Sequence, residues 1–170
     1  MPETNSDPRA TLSAEAPNTA AAIPTPALLL GLAGLVPFIV TAVQVSTGWP
    51  LSPRLTGPAL YHLTVYGAVI LSFLGGVQWG FAAARPARHP IAAWRRYVVS
   101  MLPPLAAWAG LWLFPRQGLL VLALSFGLAL FYDIWSTSAG EAPRWYGRLR
   151  MGLTAVAIVC LLAAAQLGPF

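Results

Sequence analysis

The sequence predicts an all-α polytopic membrane protein, a bundle of five transmembrane helices behind a disordered N-terminal tail. Three observations carry that prediction. Hydrophobic residues make up 57% of the 170-residue chain and charged residues only 9%, against roughly 45–50% and about 25% in an average soluble domain. From Ala27 onward the apolar residues gather into runs of about 20, the length a helix needs to cross a hydrocarbon core. The basic residues, all ten of them arginine, collect in alternate breaks between those runs.

Residues 1–26 carry Pro2, Pro8, Pro17, Pro24 and Pro26 among Ala, Thr and Ser. With almost no large apolar side chain to bury, this stretch is expected to be disordered. It has no basic n-region, and Glu3, Asp7 and Glu15 outnumber Arg9, so it reads neither as a secretory signal nor as a mitochondrial presequence. The apolar runs lie near 27–46, 59–84, 97–114, 118–135 and 149–167. Pro115-Arg116-Gln117-Gly118 between the third and fourth is a tight turn suited to a helical hairpin. Five such runs leave almost no amphipathic surface for a soluble helical fold.

Alternation of five spans puts Arg9, Arg85, Arg88, Arg95, Arg96, Arg144, Arg148 and Arg150 on one side and Arg54 and Arg116 on the other. This positive-inside asymmetry predicts a cytoplasmic N-terminus and an external C-terminus. Anionic headgroups of the inner leaflet are a sufficient partner for the net charge of +5, and nucleic acid need not be invoked. Trp79, Trp94, Trp135 and Trp145 fall near the expected inner interface, and Trp49, Trp108 and Trp112 in or near the outer half, as aromatic belts do.

In the second span Ala68, Ser72, Gly76, Gly80 and Ala84 recur every four residues. Such a small-residue stripe lets another backbone approach closely, which suits association in lipid. Gln78 faces away from it, with Leu71, Leu74 and Phe81, so this span is expected to be central with protein neighbours on both sides. In the third span Pro103 and Pro104 remove the hydrogen bonds that the carbonyls of Val99 and Ser100 would accept, as Pro37 does for Ala33. Those carbonyls need a neighbour, a hydroxyl such as that of Ser100, or water; the kinks supply either shape or a cavity.

Asp133 is the one acid inside a predicted span, and an isolated charge there costs roughly 2.5–3.5 kcal/mol at the bilayer centre. Arg144, Arg148 and Arg150 follow on the same side, with Glu141. Arg144 and Arg148 share a face if Pro143 opens a helix. Asp133 either pairs with one of these arginines or joins Gln78 and them in a cytoplasm-facing pocket for an anionic group. Cys160 sits in an apolar run and reads as a small hydrophobe. His62 and His89 are too far apart for a shared metal or haem. No nucleophile–base pair or metal motif is present in the sequence, so no catalytic residue, metal or cofactor is assigned.

Leu30–Phe38 (LGLAGLVPF), Ser72–Gly80 (SFLGGVQWG), Pro103-Pro104 to Trp108, Asp133 and Ala142–Thr154 (APRWYGRLRMGLT), in this order and spacing, resemble the transmembrane protein 69 family. These are small bacterial and mitochondrial membrane proteins carrying a domain of unknown function. The resemblance spans roughly residues 27–167 and implies a multi-span inner-membrane protein with no activity to carry over. It marks Gly75, Gly76, Trp79, Gly80, Asp133, Trp145, Tyr146 and Arg150 as motif members without giving them roles.

The expectation is a non-enzymatic accessory or assembly subunit that packs against a membrane partner or a second copy of itself through Ser72, Gly76 and Gly80. The alternative is a small carrier or ligand-binding protein with a polar pocket around Gln78 and Asp133. The candidate polar cluster is Gln78, Trp79, Asp133, Arg144, Trp145, Tyr146, Arg148 and Arg150. The expected location is a bacterial cytoplasmic membrane, the alternative the mitochondrial inner membrane.

Overall fold

Prolines start several of the helices, as a residue that needs no amide donor can. Pro26 lies in the first turn of α1 (Thr25–Ala33). Pro90 and Pro115 are the first residues of α4 (Pro90–Leu111) and α5 (Pro115–Ser138). The other helices are α2 (Leu35–Thr47), α3 (Thr56–Ala84) and α6 (Arg144–Leu167). The computed structural model describes residues 22–85, 87 and 89–168; the tail expected to be disordered therefore lies outside the described residues up to position 21, as do Arg9 and Arg88.

α1 and α2 form one rod interrupted at Gly34, whose carbonyl accepts from the Tyr66 hydroxyl at 2.9 Å. The result is five helical rods and, among the described residues, no strand. Each rod packs on its neighbours in sequence, α6 closes the ring on α2, and α3 meets α5 across the middle. At the centre Phe38, Leu63, Leu71, Leu119, Leu122, Phe126 and Leu161 are all but fully buried. The Phe38 ring meets Tyr66 and Phe126 edge-on, with centroids 5.0 and 5.9 Å away.

The outside of the ring is as apolar as the inside: Leu30, Phe73, Leu124, Phe131 and Val159 are all more than 60% exposed. Contiguous exposure of this kind would be an aggregation hazard in water and is what a hydrocarbon solvent requires. Four stretches are long and apolar enough to cross a bilayer: Thr25–Thr47, Pro53–Ala84, Pro115–Ser138 and Arg144–Leu167. α4, with 22 residues, has the length at about 1.5 Å per residue, but Arg95 and Arg96 lie in its first turns.

The helices extend past the predicted spans, because helical hydrogen bonding continues into the interface after the apolar residues end. α4 begins seven residues before position 97 and stops at Leu111, so the tight turn is Trp112–Phe114 and Pro115 already belongs to α5. At this crossing a Cβ on Gly118 would lie 2.6 Å from the Gly110 carbonyl oxygen, an approach that only a residue without a side chain permits. Pro143 precedes α6 as its N-cap and does not occupy its first position.

The proline pair does not break α4, which runs through it without interruption. The Ser100 carbonyl, deprived of the amide at position 104, points at the spot where a side chain on Gly75 would begin, with Pro104 Cδ 2.7 Å from it. The Ser100 hydroxyl donates to the Tyr97 carbonyl at 2.7 Å and serves neither orphan. Close backbone contact therefore falls on Gly75. Gly76 and Gly80 have nothing within 4 Å of a would-be Cβ, and with Ser72 they face outward. The neighbour expected on that side of α3 is not supplied by the described residues of this chain.

Candidate functional site

The site is built from one residue on each of three helices. Gln78 lies on the inner face of α3, Asp133 five residues before the end of α5, and Arg150 two turns into α6. Arg150 donates from Nε to Asp133 Oδ2 at 2.7 Å, and the Gln78 amide donates to Oδ1. Asp133 is 1% exposed, Arg150 5% and Gln78 8%, so the carboxylate has exchanged water for two side-chain donors. Such exchange is the condition on which an ion pair is tolerated inside a low-dielectric bundle.

α5 carries the acid inward because its last turns are fastened locally. Thr137 and Ser136 donate their hydroxyls to the Asp133 carbonyl at 2.7 and 3.1 Å. Gly140, at φ 72°, then turns the chain, and the amides of Glu141 and Ala142 return to the Ser136 carbonyl. Gly147 fits beneath this turn; its would-be Cβ stands 3.1 Å from the Thr137 hydroxyl. The α5–α6 connection is thereby tight enough to set Arg150 opposite Asp133.

Tyr146 lies one turn before Arg150. Its ring meets Phe81 edge-on at 5.1 Å, and its buried hydroxyl borders the Asp133 carboxylate without completing a hydrogen bond. Thr154, one turn after Arg150, is 1% exposed. Its hydroxyl and Nη2 of Arg150 are likewise buried without a partner. These three groups run at intervals of four along one face of α6, a polar ladder ending in apolar core.

Of the three arginines predicted to reach Asp133, Arg150 does so. Arg144 and Arg148 are exposed and make no salt bridge among the described residues. Trp79 is half-exposed against Tyr97, centroids 4.8 Å apart, and Trp145 is half-buried beside Tyr146. A cavity of about 110 Å³ reaches Gln78 and Asp133 from the side where Val99 and Pro103 form its wall.

Two polar devices lay outside the sequence prediction. Glu141 accepts from Arg95 at 2.6 Å and lies 3.0 Å from Arg96, while the Arg95 guanidinium rests 4.1 Å from the Trp135 ring centroid. At the opposite end Gln44, 1% exposed, donates to the Ser52 carbonyl at 2.7 Å and accepts from the Leu51 amide at 2.9 Å. The signal for Gln44 was a lone amide closing an apolar run. For Glu141 it was a single acid among arginines.

The chain is 37% identical to transmembrane protein 69 of Xenopus tropicalis over 145 residues, covering 83% of this chain and 54% of the relative. With transmembrane protein 69 of Mus musculus it shares 31% over 143 residues, 80% of this chain and 54% of the relative. It thus spans about half the length of these relatives. No solved structure is significantly similar to it. Residues 23–166 match the family described as "Protein of unknown function (DUF3429)", and the chain belongs to that family of integral membrane proteins related to transmembrane protein 69.

Proposed function

We propose that this chain is a non-enzymatic accessory or assembly subunit that receives a partner helix along the outer face of α3. The observation that carries the reading is the openness of Gly76 and Gly80, which have nothing within 4 Å of a would-be Cβ, in the last third of a 29-residue helix. Small residues on a lipid-facing surface gain nothing from the solvent around them, whereas a second backbone can pack closely there. The partner is another membrane protein or a second copy of this chain. Replacing Gly76 and Gly80 with Leu tests it by co-purification and in-membrane cross-linking from position 72. Loss of the associated species is expected; an unchanged cross-linking pattern and oligomeric state would sink the reading.

The second reading is a small carrier or ligand-binding protein, and the cavity reaching Gln78 and Asp133 favours it. It requires that Asp133→Asn alter ligand binding while the helical content is retained. For the setting we infer an inner membrane, bacterial or else mitochondrial, with the N-terminus in the cytoplasm and the C-terminus outside. Six of the eight described arginines stand at the end of the bundle that this places inside, as positive-inside insertion requires.

A further inference from the structure

Two hollows adjoin at Trp145, which lines both. One is an apolar cleft of about 530 Å³ between α1–α2, α3 and α6, running from Trp145 down to Phe38 and Ala157. Twelve residues of α6 separate Trp145 from Ala157, about 18 Å at 1.5 Å per residue. One leaflet of hydrocarbon is roughly 15 Å deep, so the cleft has the depth of one acyl chain. It opens to the surrounding lipid past Leu30 and Phe73, which line it and are 74% and 64% exposed.

The other hollow, about 520 Å³, lies above it and shares Trp145 with it. Its wall carries Arg85 and Arg144, both exposed. Arg85 gives Nη1 to the Gly140 carbonyl at 2.9 Å, and neither guanidinium is in a salt bridge among the described residues. A basic head pocket therefore stands over a tail cleft. Arg150 lines the cleft and is held by Asp133.

We propose that these adjacent hollows hold one anionic phospholipid, its phosphate between Arg85 and Arg144 and an acyl chain lying in the cleft. The lipid belongs to the leaflet on the arginine-rich side and fastens α1 and α3 to α6, which touch little there. This site is separate from the outer stripe of α3 and from the Gln78–Asp133 cavity, and it holds or fails independently of both.

The test is native mass spectrometry of the full chain purified in mild detergent, then exchanged against phosphatidylglycerol or phosphatidylcholine. One phospholipid per chain is expected to survive purification, with at least a tenfold preference for phosphatidylglycerol. Arg85→Gln with Arg144→Gln, both at exposed positions, should abolish that preference. Val77→Trp, which fills the cleft wall, should remove the retained lipid with helical content unchanged; should that variant not fold, the arginine pair decides alone. No retained lipid on the unaltered chain, a retained molecule without phosphate, or undiminished preference in the arginine variant overturns the proposal.

Discussion

Arg150 and Asp133 stand 17 residues apart in the chain and 2.7 Å apart in space, joined across the α5–α6 turn with side chains that are 6% and 2% exposed. The pair shares its carboxylate with Gln78 of α3, so one acid ties three of the five rods together. The geometry explains why a charge pair persists where apolar packing would be simpler: it fixes the register of α6 against α5 and α3.

Breaking the pair from either side should cost far more than replacing it whole. Asp133→Leu alone leaves a buried guanidinium, and Arg150→Met alone leaves a buried carboxylate; each is expected to destabilise by about 3–5 kcal/mol. The double variant should recover most of that loss, because nothing charged remains to be desolvated. Reversible unfolding in mixed detergent, followed by far-ultraviolet circular dichroism, supplies the double-mutant cycle. Single and double costs that simply add would show that the two residues do not act as a unit.

Gly75 and Gly76 are neighbours in sequence, and their tolerance of a methyl group should differ sharply. At Gly75 a Cβ would run into the Ser100 carbonyl and Pro104 of α4, so Gly75→Ala must push the helices apart and is expected to cost about 1–3 kcal/mol. At Gly76 the methyl meets open space, and Gly76→Ala should change stability by no more than about 0.5 kcal/mol. Side-by-side unfolding midpoints in one detergent decide the matter; equal midpoints would mean that α3 and α4 do not approach as closely as described.

That contrast also shows where sequence reasoning stopped. The apolar runs and arginine-bearing breaks located every rod, because hydrocarbon thickness and charge cost act on composition alone. The four-residue stripe marked α3 as a packing helix, yet spacing cannot say which of two adjacent glycines meets a neighbour. A step of one residue turns the helix by about 100°, and the choice between Gly75 and Gly76 is made by the proline pair on another helix. Likewise, the sequence put three arginines on Asp133's side. The α5–α6 turn selects Arg150 by setting the register of α6, and that turn depends on Gly140 at positive φ and Gly147 beneath Thr137. The role of Gln44 is not legible in the sequence because its partners are main-chain groups of a loop, which no side-chain pattern reveals.

Gln44 should behave as the clasp of the α2–α3 loop. Its amide satisfies the Ser52 carbonyl and the Leu51 amide together, so Gln44→Leu removes both bonds and leaves two main-chain groups to find water. A loss of about 1–3 kcal/mol is expected. Local disorder should be confined to residues 48–55, read as faster amide hydrogen exchange there with protection of α5 and α6 unchanged. Uniformly faster exchange over the whole bundle would instead make Gln44 an ordinary core residue.

Glu141 should hold the opposite end more weakly. It meets Arg95 at 2.6 Å and Arg96 at 3.0 Å, joining the α5–α6 turn to the start of α4, but the Arg95 side chain is 38% exposed. Solvent screens such a pair, and the expected cost of Glu141→Gln is on the order of 1 kcal/mol or less. The difference from the parent chain should shrink further as salt rises from 0.05 to 0.5 M, values on either side of the ~0.1 M at which the Debye length is about 10 Å. The Arg150–Asp133 pair, with side chains only 6% and 2% exposed, should show no such salt dependence. Thermal unfolding of the two sets of variants across that salt range separates an interfacial latch from a buried one; parallel salt dependence in both would mean that water reaches Asp133 freely.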